Sequence, residues 1–198
     1  MKDQSLAHYS WVKIEFVCAM MKQYRNLDWI FWIDTDALIM NIYISLTELL
    51  AGVKDSDLII IGADAEGINA GTFFIRNNHA GKKLCTKLLH QQQKYKYEQQ
   101  AMSAMYNAAV EKSGQECVVS ERVNLYLPSG VKACLDKKAP GFRLLKLCAI
   151  GSWAGLERKR GQGLYFEGVY MEGDFIIHFP GDRRAKLGLM KQALSGNI

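Results

Sequence analysis

Apolar positions at helical spacing open the chain. Trp11, Ile14, Val17, Cys18 and Met21 recur every three or four residues, with Lys13, Glu15, Lys22 and Arg25 on other faces, and predict an amphipathic helix over residues 10–24. The pattern then changes. Trp29-Ile30-Phe31-Trp32-Ile33 is an unbroken run of aromatic and β-branched residues, which predicts a strand buried on both faces, in the middle of an α/β sheet. Ser45 and Glu48 have capping-box spacing, so a short helix is expected from there to Gly52. Residues 58–61 and 72–75 read as two further apolar strands, with Gly67 and Gly71 marking turns between them.

Helical spacing returns over residues 78–93, where Leu84, Cys85, Leu88 and Leu89 oppose Lys82, Lys83 and Lys87, and again over 98–111 with Met102, Met105, Tyr106 and Ala109. Beyond these lie short strands at residues 117–119, 123–127, 144–147, 164–169 and 174–179, and a basic helix over 183–193. Strands and helices interleave in the first half, which predicts an α/β sandwich with a mostly parallel sheet.

Composition narrows the function classes. At 198 residues with 49% hydrophobic positions, the chain is long enough for one domain, residues 1–198, with a substantial core. The longest stretch without a charge, residues 99–110, is too short to cross a bilayer, and the first ten residues hold no apolar segment of a secretory signal. The five cysteines (Cys18, Cys85, Cys117, Cys134 and Cys148) are odd in number and scattered without C-x-x-C spacing. They predict free thiols in a reducing, cytoplasmic compartment, with no disulfide scaffold and no zinc site. A net charge of +5 raises a nucleic-acid reading, but 23% charged residues of mixed sign is an ordinary surface and predicts no nucleic-acid partner.

Candidate chemistry concentrates where the strand 29–33 runs into Asp34-Thr35-Asp36. Ligands of open α/β sheets sit beyond the carboxyl ends of strands, and two carboxylates at i and i+2 suit Mg²⁺ or Mn²⁺ holding a diphosphate. A D-x-D match arises by chance in about every second chain of this composition. Asp55-Ser56-Asp57 is such a match and reads as a polar turn at the amino end of its strand. Asp34 and Asp36 abut five core residues and would repel each other without a cation or donors to compensate.

Three further segments carry possible site chemistry. In Gly67-Ile68-Asn69-Ala70-Gly71, two glycines permit close backbone approach to a ligand, although a tight turn feeding a strand is the simpler reading. His178 closes an apolar strand before Pro180-Gly181, either as a packed histidine or as a third metal ligand that favours Mn²⁺. Arg183, Arg184 and Lys186 could meet phosphate or form a solvated helix face, and Glu98-Gln99 opens a helix as capping or site groups. No G-x-S-x-G elbow and no phosphate-loop motif is present, and Arg158-Lys159-Arg160 with Gly161-Gln162-Gly163 reads as a surface loop.

In order, Lys13-Ile14 in a helix, DWIFWIDTDALIMN, DLIIIGADAEGINAGTFFIRN, YEQQAM, VNLYL and GDFIIHFPG resemble glycosyltransferase family 34, the galactosyl-, mannosyl- and xylosyltransferases of fungi and plants. The resemblance covers residues 11–186. It implies a GT-A-type nucleotide-sugar transferase fold, a UDP- or GDP-sugar donor, a glycan acceptor, a divalent metal (Mn²⁺, with Mg²⁺ as the alternative) and retention of anomeric configuration. It also implies that Asp34, Asp36 and His178 bind the metal, and that Lys13, Thr35, Asp64, Asn69, Ala70, Gly71, Gly181 and Lys186 face the donor. Gln99 and Glu98 fall on the pair beside the reacting carbon. Family members begin with a strand–helix unit before the Lys13 helix and act in the Golgi lumen behind a membrane anchor. This chain starts at that helix, so a form lacking the amino-terminal unit is expected. A sugar- or nucleotide-binding remnant without activity, and a basic nucleic-acid-associated protein or metal-dependent phosphotransferase, stand as alternatives.

Overall fold

In the computed structural model, which describes residues 8–64, 67–115, 118–119, 132–133, 137–153, 170–179 and 183–196, a 3-10 turn at Tyr9–Trp11 leads into helix α1 (Val12–Gln23). Strands β1 (Trp29–Ile33) and β2 (Ala37–Ile39) follow, then the short helix α2 (Leu46–Leu49). The expected capping box is formed there: Ser45 Oγ accepts from the Glu48 N–H and Glu48 Oε2 accepts from the Ser45 N–H. Next come β3 (Ile59–Asp64), β4 (Gly67–Arg76), α3 (His79–His90) and α4 (Glu98–Lys112). The rest comprises β5 (Val118–Val119), β6 (Lys132–Ala133), β7 (Phe142–Lys146), α5 (Leu147–Ile150), β8 (Ser152–Trp153), β9 (Ile176–His178) and α6 (Arg183–Leu194). The strands expected at 123–127 and 164–169, the basic loop 158–163 and Gly181 lie outside the described residues.

The main sheet has the order β1-β4-β3-β7. Strands β1, β3 and β7 run one way and β4 runs against them, so the β3–β7 pairing is parallel while β1–β4 and β3–β4 are antiparallel. The sheet is therefore mixed rather than mostly parallel. The cause is local: β3 ends at Asp64 and β4 begins at Gly67, and a connection that short cannot make the crossover a parallel pair requires. The apolar run of β1 also sits elsewhere than expected. Among the described residues it pairs with β4 alone, and its five positions are half-buried. An unbroken apolar run reports cover on both faces of a strand; it says nothing about neighbours on both edges.

One face of this sheet carries α1, α3 and α4. Ile59, Ile61, Phe73 and Ile75 point into a core with Trp11, Ile14, Val17, Met21, Leu88, Met102, Tyr106 and Val110. The opposite face meets a second sheet of order β2-β9-β8, where Phe31 stacks on Phe74 at 4.3 Å and approaches Phe175 at 6.4 Å. Among the described residues no helix is long and apolar enough to cross a membrane.

Helices α1 and α3 are joined by a disulfide between Cys18 and Cys85, 67 residues apart. This corrects the expectation of free thiols and, since such bonds persist in oxidising surroundings, removes the cysteine argument for a reducing compartment. The pairing has no spacing signature because it depends on two helices packing side by side. A Cys18→Ser/Cys85→Ser variant is expected to lose about 2 to 4 kcal/mol of unfolding free energy, from the entropy of the loop the bond closes. Urea unfolding under oxidising conditions measures it, and a midpoint equal to the parent's would show that the two sulfurs are not bonded.

Candidate active site

The site is assembled on an irregularity in β4. Ile61 pairs with Phe73, yet the next residue of β3, Gly62, pairs with Asn69, so Ala70, Gly71 and Thr72 have no partners on β3. A bulge of this kind frees backbone groups from the ladder, and side chains from other elements take them up. The Ala70 N–H donates to Gln99 Oε1 at 2.9 Å, and the Ala70 carbonyl accepts from Lys13 Nζ at 3.1 Å. The Gly71 N–H donates to Asn69 Oδ1 at 2.8 Å, and the Gly71 carbonyl accepts from the Asp34 N–H at 2.8 Å. Asn69, Ala70 and Gly71 thus lie inside a strand and not in the turn the two glycines suggest. Gly71 is required for space: a Cβ there would stand 2.4 Å from His178 Cε1 and 2.9 Å from Asn69 Oδ1.

Asp34 and Asp36 occupy the turn between β1 and β2, closed by the Ala37 N–H donating to the Asp34 carbonyl. Strand β2 pairs with β9 with Ala37 opposite His178, and this register carries the imidazole to the aspartates. His178 Nε2 lies 3.1 Å from Asp36 Oδ1 across 142 residues of sequence. Ligating atoms of Asp34, Asp36 and His178 all fall within 4.8 Å of one another. Two carboxylates and one imidazole so close form a donor set that fits a divalent cation.

The charge compensation that two adjacent carboxylates need is present. Trp32 Nε1 donates to Asp34 Oδ1 at 2.6 Å. Lys13 Nζ lies 2.9 Å from Asp34 Oδ1 and 3.0 Å from Glu98 Oε1, with its side chain 10% exposed. Burial alone would pull the Lys13 ammonium down, but Glu98 and Asp34 outweigh it and hold its pKa above the usual lysine value. Lys186, on α6, reaches the other carboxylate and donates to Asp36 Oδ2. Burial would raise the Asp36 pKa; hydrogen bonds from His178 and Lys186, with their charges, drive it well below the ordinary carboxylate range.

Of the remaining sequence candidates, Thr35 is exposed at the tip of the Asp34–Asp36 turn, and Asp64 is the last residue of β3, paired with Gly67. Glu98 is 4% exposed and stands against Lys13. Asp55 and Asp57 form a surface turn at the amino end of β3: Asp57 Oδ2 accepts from the Lys54 N–H, and Asp55 faces Arg76 at 3.8 Å. Two contributors were not legible as site elements. Trp32 reads as core, although it lies two residues before Asp34 and so shares its side of the strand. Strand β2 is only three residues long, too short for its period to declare it.

The chain is similar to known glycosyltransferases in sequence and in fold. The sequence profile of the galactosyl transferase GMA12/MNN10 family matches residues 1–55 and 51–186. An alpha-1,2-galactosyltransferase of Schizosaccharomyces pombe is 32% identical over 103 residues, covering 36% of this chain and 28% of that protein. The probable alpha-1,2-galactosyltransferase gmh1 of the same yeast is 22% identical over 208 residues, covering 86% of this chain and 53% of that protein. A probable glycosyltransferase 6 of Oryza sativa subsp. indica is 36% identical over 75 residues, 34% of this chain and 15% of that protein. The chain therefore spans at most about half the length of these relatives. A solved glycosyltransferase involved in glycosylation of the major capsid of PBCV-1 superposes with a TM-score of 0.60 over 92% of this chain and 75% of its own, at 11% identity. That likeness gives the fold, α/β of the glycosyltransferase kind. With a profile match running through nearly the whole sequence, the chain belongs to glycosyltransferase family 34, the galactosyl transferase GMA12/MNN10 family.

Proposed function

We propose that the chain transfers a hexose or pentose, galactose first among them, from a nucleotide-sugar donor to a glycan acceptor with retention of configuration and with Mn²⁺ as cofactor. The observation that carries this reading is the Asp34, Asp36 and His178 cluster facing the β4 bulge, on which Gln99 is fixed. Asp34, Asp36 and His178 would hold the ion, Mg²⁺ being the alternative. When bound, the ion supplies Lewis-acid neutralisation of the leaving nucleoside diphosphate.

The chain's own residues do the rest. Lys13 holds Asp34 and Glu98 in one orientation and anchors the bulge through the Ala70 carbonyl. Lys186, which donates to Asp36, would supply an ammonium group to phosphate oxygens. Thr35, Asp64, Asn69, Ala70, Gly71 and Gly181 are assigned to donor contact. Gln99 has Oε1 engaged by the Ala70 N–H, which fixes the amide against the bulge and leaves its Nε2 as the donor end. Glu98 is nearly buried and paired with Lys13, which suits it to holding that lysine rather than attacking a sugar. Front-face substitution beside Gln99 accords with these positions. The disulfide favours an oxidising lumen such as the Golgi over the cytoplasm.

Thermal unfolding with Mn²⁺ across UDP-galactose, UDP-xylose and GDP-mannose tests the reading. A donor at 100 times its Kd adds about 2.7 kcal/mol, which for a chain of this size raises Tm by about 5 to 10 °C. The rise is expected only with metal present. If none of the three donors shifts Tm with Mn²⁺, the transferase reading fails.

A further inference from the structure

We propose that His8, Tyr9, Lys96 and Tyr97 form the acceptor subsite, and that it takes a glycan bearing negative charge. The inference rests on the glycosyltransferase reading and identifies the second substrate's chemistry. It starts from Trp11, which is buried and whose Nε1 donates to the carbonyls of Tyr95 and Lys96 at 3.2 and 3.1 Å. This bifurcated contact ties the segment leading into α4 to the start of α1. Above it stand three rings: His8 lies 3.9 Å from Tyr9 and 4.5 Å from Tyr97 between centroids. Tyr9 is 80% exposed although it belongs to the turn that Trp11 anchors.

The shelf adjoins the candidate active site. Tyr97 precedes Glu98, which contacts Lys13 and through it Asp34, and Gln99 follows on the bulge. Rigid aromatic faces beside a transfer site suit a pyranose ring, whose C–H edges pack on π-faces and whose binding costs a tyrosine little conformational entropy. Charge adds the second criterion. Lys96 Nζ stands 5.3 Å from the Tyr97 ring centre and Lys94 Nζ 5.1 Å from that of Tyr95. Lys94 and Lys96 thus set two ammonium groups against the rings of the segment that leads into α4. Ammonium groups at the edge of an aromatic shelf favour carboxylate or phosphate groups on the bound chain.

Calorimetric titration of the Mn²⁺-loaded chain with tri-galacturonate and with the uncharged galactotriose of the same linkage tests the proposal. The parent should bind the acidic trisaccharide more tightly. Tyr9→Ala should weaken both about tenfold, whereas Lys96→Glu should weaken only the acidic one, by a similar factor. Failure of the parent to bind either sugar, or indifference to Tyr9→Ala, overturns the subsite. Equal affinity for a single-stranded deoxythymidine oligomer would also overturn it, by revealing an unselective polyanion patch. Donor hydrolysis by the parent with no glycan added is measured in parallel. Its absence would count against the transferase reading, while the two titrations still decide the shelf.

Discussion

Replacing Asp36 by Asn should lower Mn²⁺-dependent sugar transfer about a thousandfold while leaving the fold intact. The substitution keeps the shape of the side chain and removes one negative charge. Burial would raise the Asp36 pKa, but His178 and Lys186 hold it below the ordinary carboxylate range, so the side chain carries that charge at neutral pH. Asp36 is also the group that both His178 and Lys186 touch, so it links β9 and α6 to the turn after β1. If Asp36 is one of three groups that hold the ion, as proposed, its loss forfeits several kcal/mol of stabilisation of the departing charge, and each 1.36 kcal/mol is a factor of about ten. Initial rates against Mn²⁺ concentration measure the effect, with circular dichroism as the control for folding. A variant with the parent's rate and the parent's metal dependence would remove Asp36 from the ion site.

The turn that carries Asp34 and Asp36 was legible because the sequence changes character abruptly there. Five apolar residues end at two carboxylates, and a strand that ends in charge places it at a sheet margin, where ligands gather. The capping box at Ser45 and Glu48 was legible for a similar reason: it is local, and its partners lie three residues apart. What apolar periodicity could not show depends on distant registers, although the family resemblance already grouped His178 with Asp34 and Asp36. His178 meets Asp36 only because β2 and β9 pair with Ala37 opposite His178, a register supported by Phe31, Phe175 and Ile176 packing between the sheets. The bulge that frees Ala70 and Gly71 arises from a three-residue mismatch between β3 and β4, and the flanking glycines imitate a turn. The Cys18–Cys85 bond follows from helix packing alone. In each case the missing information was which segments face each other, and apolar periodicity carries none of it.

Lys13 is where fold and chemistry are most tightly joined, and Lys13→Met should cost about 3 to 5 kcal/mol of stability, the penalty for removing one member of a buried ion pair. With Lys13 gone, Glu98 and Asp34 would face each other without the cation between them, and the Ala70 carbonyl would lose its donor. Against a typical total of about 5 to 15 kcal/mol, such a loss is a large share of the stability. The sign of the pH dependence follows from the raised Lys13 pKa. A cation whose folded pKa exceeds its unfolded value contributes fully below the unfolded pKa, and the contribution fades only as pH climbs through the folded one. The parent's advantage over Lys13→Met should therefore be constant through neutral pH and shrink only beyond the ordinary lysine range. Lys13→Met/Glu98→Gln separates charge from shape: by removing the orphaned carboxylate it should recover much of the stability. Transfer should stay at least about tenfold below the parent, because Met cannot orient Asp34 or hold the bulge through a charge-assisted hydrogen bond. Urea unfolding and transfer rates measured on both variants decide it. If Lys13→Met alone unfolds within about 0.5 kcal/mol of the parent, as an ordinary surface substitution does, then the Lys13 ammonium is a solvated surface charge and the site loses its proposed anchor.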